Sequence, residues 1–276
     1  MVFFFIFVLP DGVPGKNMEV PAVKSRRRSQ AMTHCPMPLC NGKLALEEIK
    51  HGVVSFVFDD GHYHNWLKHL ELFQNFNARC TFLYNREITP EAAESMKILR
   101  SYGHSVGLHS VSHRDVEPGT AMVEYYDTQI APQLASAAAC GVENIRYFGY
   151  PNNRHTPESD EFLGKYFARL RAGLGLKLPK GFRIAEQDKA FMELDELAST
   201  RVLGGFCIGE YYGSTEENLH SALSRAAAEN KFILFTSHDI SPGAKSVHMP
   251  TELLEYLLKT AAELQIAVAG FDELPE

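Results

Sequence analysis

From Val53 onward, short apolar runs alternate with longer stretches whose apolar residues recur every three or four positions. Val53-Val54-Ser55-Phe56-Val57-Phe58 is an apolar run of β-branched and aromatic residues, as expected of a buried strand. Residues 64–76 instead place Trp66, Leu67, Leu70, Phe73 and Phe76 at near-helical spacing. A strand over 79–84 precedes a helix opening at Thr89-Pro90-Glu91, with Thr as cap and Pro in the first turn. Short strands are predicted near 105–108 and 144–150, separated by an Ala-rich helix at about 119–139. Further strands are predicted near 167–172, 202–209, 231–237 and 266–270, with helices at about 215–229 and 250–264. This alternation favours an α/β architecture with a largely parallel sheet. Right-handed crossovers would roll such a chain into a barrel-like sheet, although periodicity alone does not separate that from an open doubly wound one.

The N-terminal stretch does not continue the pattern. Val2 to Leu9 is apolar but far too short to span a bilayer. It has the length of a signal-peptide core, yet no Lys or Arg precedes it and no clear small-x-small cleavage site follows. Pro, Gly, Ser and Arg fill the residues after it, so disorder is expected up to about residue 40. Residues 1–45 are accordingly read as a tail or an overextended start, with Met18 or Met32 as alternative starts, and 46–276 as one domain. With 276 residues and 45% apolar content, the chain can bury the core of such a domain. A formal charge of −7 argues against nucleic acid as a partner, and Arg26-Arg27-Arg28 is too short a run to reverse that. Cys35 and Cys40 lack a second ligand pair at zinc spacing, while Cys80, Cys140 and Cys207 sit in apolar settings typical of free thiols. An odd cysteine count without a framework leans towards a reducing compartment, so a cytoplasmic location is favoured over export.

The candidate chemistry lies in two strings, Phe58-Asp59-Asp60-Gly61 and His109-Ser110-Val111-Ser112-His113. The first puts a carboxylate pair at the C-terminal end of a strand, the edge where α/β folds gather ligand-binding side chains. Neighbouring strand residues point to opposite faces, so only a turn at Gly61 would bring both carboxylates to one cavity. The second spaces two imidazoles at i and i+4, which one helical turn would bring to a single face. Two neutral imidazoles and one carboxylate suit a divalent metal such as zinc, leaving positions open for water and substrate. Each string alone is weak. Asp-Asp-Gly is ordinarily a turn, and twelve histidines produce such pairs by chance. The metalloprotease pattern His-Glu-x-x-His is absent, because Ser110 follows His109.

Taken together and in order, the strings resemble the polysaccharide deacetylases with NodB homology, carbohydrate esterase family 4. Val57-Phe58-Asp59-Asp60-Gly61 is similar to the family's Thr-Phe-Asp-Asp-Gly, and Gly103 to His113 to its Gly-His-Glu-Ile-Gly-Asn-His-Ser/Thr-x-x-His. Between them, Ala78-Arg79-Cys80-Thr81-Phe82-Leu83 resembles its Ala-Thr-Phe-Phe strand. Ile233 to Ile240 resembles the strand that presents a late catalytic histidine. The resemblance covers roughly 46–276 and implies a distorted, incomplete (β/α) barrel. It implies that Asp60, His109 and His113 hold a divalent metal, with Zn2+ the first expectation. Asp59 would be the base that deprotonates the metal-activated water, and His238 the acid that protonates the leaving group. The implied partner is an acetylated carbohydrate or polysaccharide.

The third family motif, Phe-Arg-x-Pro-Tyr-Gly, aligns with Phe148-Gly149-Tyr150-Pro151-Asn152-Asn153. Gly149 therefore stands where an arginine normally orients the base, and Arg146 and Arg154 lie three and five residues away. The backbone N–H of Asn152 would inherit the oxyanion role, which does not depend on side-chain identity. No counterpart of the Asp-rich, Trp-containing fourth motif is found, and Trp66 lies far upstream. A variant subgroup with a differently tuned base is the reading. Two alternatives stand beside it: hydrolysis of another non-peptide C–N bond, as in a small amide or ureide, and a degenerate carbohydrate-binding domain. His62 and His64 are expected in a solvated loop and His104 in a packing role, while His155 and His248 carry no assignment.

Overall fold

The computed structural model describes residues 39–40, 42–176 and 182–275. Contacts divide the chain into Met1–Thr33 and His34–Glu276, and all described residues belong to the second unit. Most of the tail expected over 1–45 thus lies outside the described residues. Its last part forms a small antiparallel pair, Leu39–Cys40 with Lys43–Leu44, and the Leu44 N–H donates to the Glu273 carbonyl at 2.7 Å.

Seven parallel strands make the ring: β1 (Val53–Phe58), β2 (Thr81–Tyr84), β3 (Ser105–Leu108), β4 (Tyr147–Gly149), β5 (Arg169–Gly173), β6 (Val202–Cys207) and β7 (Lys231–Ser237). Each pairs with the next, and β7 closes the ring on β1 in register from Phe232↔Val53 to Ser237↔Phe58. The barrel is therefore one strand short of the eight of a complete (β/α) barrel, which is the incomplete form that the family resemblance implies. A short strand at Ala267–Val268 pairs with the start of β1, and Met192–Glu193 pairs antiparallel with the start of β7.

Alternation along β1 explains why both faces of the run are apolar apart from Ser55, whose hydroxyl donates to the Ala269 carbonyl at 2.7 Å. Val54, Phe56 and Phe58 face outward into the layer under the helices, where Phe82, Phe73 and Trp66 meet them. Val53 and Val57 face inward with Leu83, Tyr147, Leu203 and Leu234. A parallel strand covered on both faces needs no polar phase. Helices fill the crossovers, among them Pro90–Ser101, Glu216–Glu229 and Thr251–Glu263. The first begins as the sequence dictates: Thr89 is the cap, its side chain accepting from the Ala92 N–H, and Pro90 leads the first turn.

The C-terminal segment seals one end of the barrel. Phe271 and Leu274 join the inward cluster, the Phe271 N–H donates to Thr81 Oγ1, and the Asp272 N–H donates to Ser105 Oγ. Thr81 and Ser105 open β2 and β3, so the plug lies where the strands begin. Any site inside this barrel must face the opposite, C-terminal end.

Candidate metal centre

On β1 the inward positions are 53, 55 and 57, so Asp59 continues that phase at the open end. It is 4% exposed, and its N–H donates to the Ser237 carbonyl at 2.9 Å. Asp60 breaks the alternation. Its φ is 73° and that of Gly61 is 68°, so the chain reverses and swings the second carboxylate round to the barrel mouth. Aspartate tolerates this left-handed conformation better than most residues. The Asn85 side-chain amide donates to Asp60 Oδ1 at 3.2 Å and steadies it.

His109 and His113 meet, but not through the expected helical turn. Residues 109–113 form a loop beyond β3, in which Ser110 (φ 62°) and His113 (φ 56°) are left-handed. The loop is pinned by the Arg86 N–H on the Ser110 and Val111 carbonyls, by the Val111 N–H on the Gln129 carbonyl, and by the Ser112 N–H on Gln129 Oε1. These outside contacts give the loop backbone bonds that a helix would otherwise supply internally. The rings end with centroids 4.9 Å apart.

Asp60 Oδ1 lies 3.7 Å from His109 Nε2 and 3.6 Å from His113 Nε2. Among the described residues, Asp60, His109 and His113 are the group whose donor atoms all fall within 4.8 Å of one another. Bonds of about 2.0–2.2 Å at tetrahedral angles separate ligand atoms by about 3.3 Å, so a contraction of a few tenths of an ångström would seat a zinc-sized ion. The donors are also in the right state. His109 Nδ1 donates to the Gly149 carbonyl at 2.8 Å, which fixes the tautomer and leaves the Nε2 lone pair facing Asp60. Burial, reinforced by the Arg171 charge, holds the His109 pKa well below the usual imidazole range, so the ring is neutral. Residues and chemistry fit a divalent cation.

Beside this cluster stands a buried ion pair that sequence reasoning missed. Arg171 Nη2 donates to Asp59 Oδ2 at 2.5 Å, and both side chains are buried. The same Oδ2 is 4.0 Å from His109 Nε2. Asp59 Oδ1 is buried without a hydrogen-bond partner, so its lone pairs are left available. A signal was present in the sequence: Arg169 and Arg171 alternate with Leu170 and Ala172 in a strand whose two faces are both covered, so each charge required a buried partner.

The other expected residues surround the mouth. His238 follows β7, with Nδ1 donating to the Val247 carbonyl at 3.0 Å and Nε2 lying 3.8 Å from Asp60 Oδ2. Its own carbonyl accepts from the buried Trp66 indole at 2.9 Å. Asn152 sits on the left-handed turn after β4 (φ 49°), and its side chain donates to Asp115 at 2.6 Å. His64 is exposed, but it lies on the short helix Tyr63–Trp66 rather than in a loop. His62 is half-buried edge-on to His248, and burial lowers its pKa. His155 pairs with Asp160, which also accepts from the Tyr150 hydroxyl. Cys207 is half-buried rather than enclosed in an apolar setting, because its sulfur accepts from Asn153 Nδ2 and from the Thr236 hydroxyl. Between the ends of β5 and β6 opens a cavity of about 690 Å³, lined among others by Asn153, Cys207, Phe206, Phe182, Tyr211 and Tyr212.

Residues 47–166, which carry Asp59, Asp60, His109 and His113, match the family model described as polysaccharide deacetylase. Over that segment the chain is similar to the polysaccharide deacetylases. No curated protein matches the chain. Solved structures of similar fold include the chitin deacetylase of Colletotrichum lindemuthianum, at TM-score 0.56 and 16% identity over 82% of this chain and 88% of that one. A family 4 acetyl xylan esterase from Clostridium thermocellum, in complex with a cobalt ion, gives TM-score 0.51 and 19% identity over 80% and 89%. A CE4 family pseudoenzyme from Bacillus anthracis gives TM-score 0.53 and 13% identity, and the match covers 82% of this chain and 66% of that one. At these identities the structures establish the shared fold alone. Within the polysaccharide deacetylase pattern the chain departs at Gly149, and the structure places the guanidinium of Arg171 directly over that glycine. Among the described residues no helix is long and apolar enough to cross a membrane.

Proposed function

We propose that this polysaccharide deacetylase relative is a metal-dependent hydrolase that removes acetyl groups, N-linked in the first instance, from a carbohydrate. The observation that carries the reading is the juxtaposition of Asp59, with one oxygen tied to Arg171 and the other unpartnered, and the Asp60–His109–His113 cluster. A divalent cation held by Asp60, His109 and His113, zinc by the nature of the donors, would act as a Lewis acid on the acyl oxygen and acidify water beside it. Asp59 Oδ1 takes the proton of the attacking water. The Asn152 N–H donates to the oxygen that gains negative charge. His238 keeps its Nδ1 proton on the Val247 carbonyl, so proton exchange falls to Nε2, which hands a proton to the departing nitrogen. The cavity beside Asn153 offers aromatic walls and a polar rim, suited to a sugar ring and larger than a small cyclic amide needs.

The test compares metal content and acetate release for the wild type, His109→Ala and Asp59→Asn. His109→Ala should lose the metal, whereas Asp59→Asn should keep it and lose turnover by about 10²–10⁴-fold. Full activity in Asp59→Asn removes the base. Turnover of a small amide without acetate release from any acetylated sugar would transfer the site to that other C–N chemistry. Glycan binding untouched by a chelator, with no hydrolysis, would make the domain a binding module.

A further inference from the structure

We infer that Arg171 is the positioning residue of the catalytic carboxylate, acting across the strand from Gly149, and that it leaves Asp59 Oδ1 as the oxygen that accepts the proton. The inference rests on the hydrolase reading above and deepens it. Gly149 and Arg171 are direct partners in the parallel β4–β5 ladder. A Cβ at residue 149 would lie 2.8 Å from Arg171 Nη2, 3.2 Å from its Nε and 2.4 Å from Leu83 Cδ1. Any side chain there displaces the guanidinium, so the glycine is the space through which Arg171 crosses the barrel.

Once across, one planar group ties three parts of the site together. Nη2 donates to Asp59 Oδ2 at 2.5 Å, while Nη1 donates to the Tyr150 carbonyl at 3.3 Å and to Asn153 Oδ1. The Asn153 amide is itself oriented, because its Nδ2 donates to Cys207 Sγ at 2.9 Å. The carboxylate of Asp59, the turn carrying Asn152 and the strand β5 are therefore fixed to one rigid fork, a geometry lysine does not reproduce. With Oδ2 held by a charge-assisted bond, the unpartnered Oδ1 is the oxygen left with lone pairs free to accept a proton.

The experiment compares the wild type with Arg171→Ala, Arg171→Lys, Arg171→Gly and the exchange variant Gly149→Arg/Arg171→Gly. For each, bound metal, thermal melting, kcat and KM for acetate release, and a crystal structure are obtained. Arg171→Ala and Arg171→Lys should bind metal as the wild type does, keep KM within about threefold and lose about 100-fold in kcat, the scale of a misplaced catalytic group. Their crystal structures should show the Asp59 carboxylate turned from its place beside His109. The exchange variant should recover about tenfold or more in kcat over Arg171→Gly, because the charge returns from the facing strand. If Arg171→Ala fails to fold, Arg171→Lys, which keeps the charge, decides. A folded, metal-loaded Arg171→Lys with wild-type kcat and an unmoved Asp59 overturns the inference. Failure of the wild type to release acetate from any sugar strikes the hydrolase reading instead, and the position of Asp59 in the crystals still decides the role of Arg171.

Discussion

His104 should make the metal-free protein lose stability as the solution is acidified, by an amount that follows from its surroundings. The ring lies just before β3, edge-on to Phe73 at 5.0 Å and to Phe82 at 5.3 Å. Its Nδ1 accepts from the Cys80 N–H at 3.1 Å, so the single proton of the neutral ring is on Nε2, which is buried without a partner. A second proton would place a charge among aromatic rings and take the acceptor from Cys80. Burial first, and the nearby Arg79 charge second, lower the His104 pKa to about 3. The unfolded chain takes up that proton near pH 6.5 and the native one refuses it, so this contribution is complete above about 6.5 and lost as pH falls towards 3. Each pH unit in that window costs about 1.4 kcal/mol, hence about 2 kcal/mol between pH 6.5 and 5 and roughly 5 kcal/mol over the whole range. Buried Glu273 runs the other way: its raised pKa lets the native state bind a proton earlier, which flattens the lower part of the curve. Urea unfolding of the chelator-treated protein at several pH values reads the slope. His104→Asn keeps an acceptor for the Cys80 N–H but does not titrate, so its slope should be shallower by about one proton below pH 6.5. Identical slopes for the variant and the wild type would refute the argument, whatever the difference in absolute stability.

Three further outcomes test other joints of the molecule. Adding zinc to metal-free protein should raise its stability by about 2.7 kcal/mol at a hundredfold excess over Kd, and Asp60→Ala should abolish that gain in a thermal-shift titration. Trp66→Phe removes the indole donor to the His238 carbonyl and leaves a buried space, so urea unfolding should show a loss of about 1–3 kcal/mol, with kcat falling more than KM rises. Gly107→Ala drives a methyl to 2.5 Å from the Tyr147 carbonyl oxygen and 2.7 Å from Leu83 Cδ2. Since the first contact is backbone in the neighbouring strand, a destabilisation of about 1–3 kcal/mol or more is expected by urea unfolding.

How much of this was legible in the chain depended on whether the deciding force was local. The buried runs of β1 and β7 and the capped helix at Pro90 were read within a residue or two, because parallel strands covered on both faces and Thr-Pro caps leave their marks in consecutive residues. The helix Pro157–Leu163 was not anticipated. Its capping box at Thr156 and Ser159 is plain, but Phe162 and Leu163 alone form too short an apolar pattern. The histidine pair was found by its spacing and given the wrong backbone, since left-handed φ at Ser110 and His113 is imposed by Arg86 and Gln129, distant in sequence. The closure of the ring was beyond periodicity and came only with the family resemblance.

Arg171 shows how the remaining step could be taken from sequence once a barrel is granted. In β5, Leu170 and Ala172 pack outward, so Arg169 and Arg171 share the inward face two residues apart, about 6.6 Å along the strand. Arg169, nearer the strand's start, finds the Thr200 and Pro275 carbonyls at the sealed end. Arg171, one inward step nearer the mouth, has the Tyr150 carbonyl and Asn153 Oδ1 for Nη1, and its buried charge still needs an anion. The inward phase of β1, read as 53, 55, 57 and then 59, delivers a carboxylate to that same level. The glycine that seemed to delete a catalytic arginine is thus half of a two-position arrangement, and its meaning becomes visible only when the facing strand is read with it.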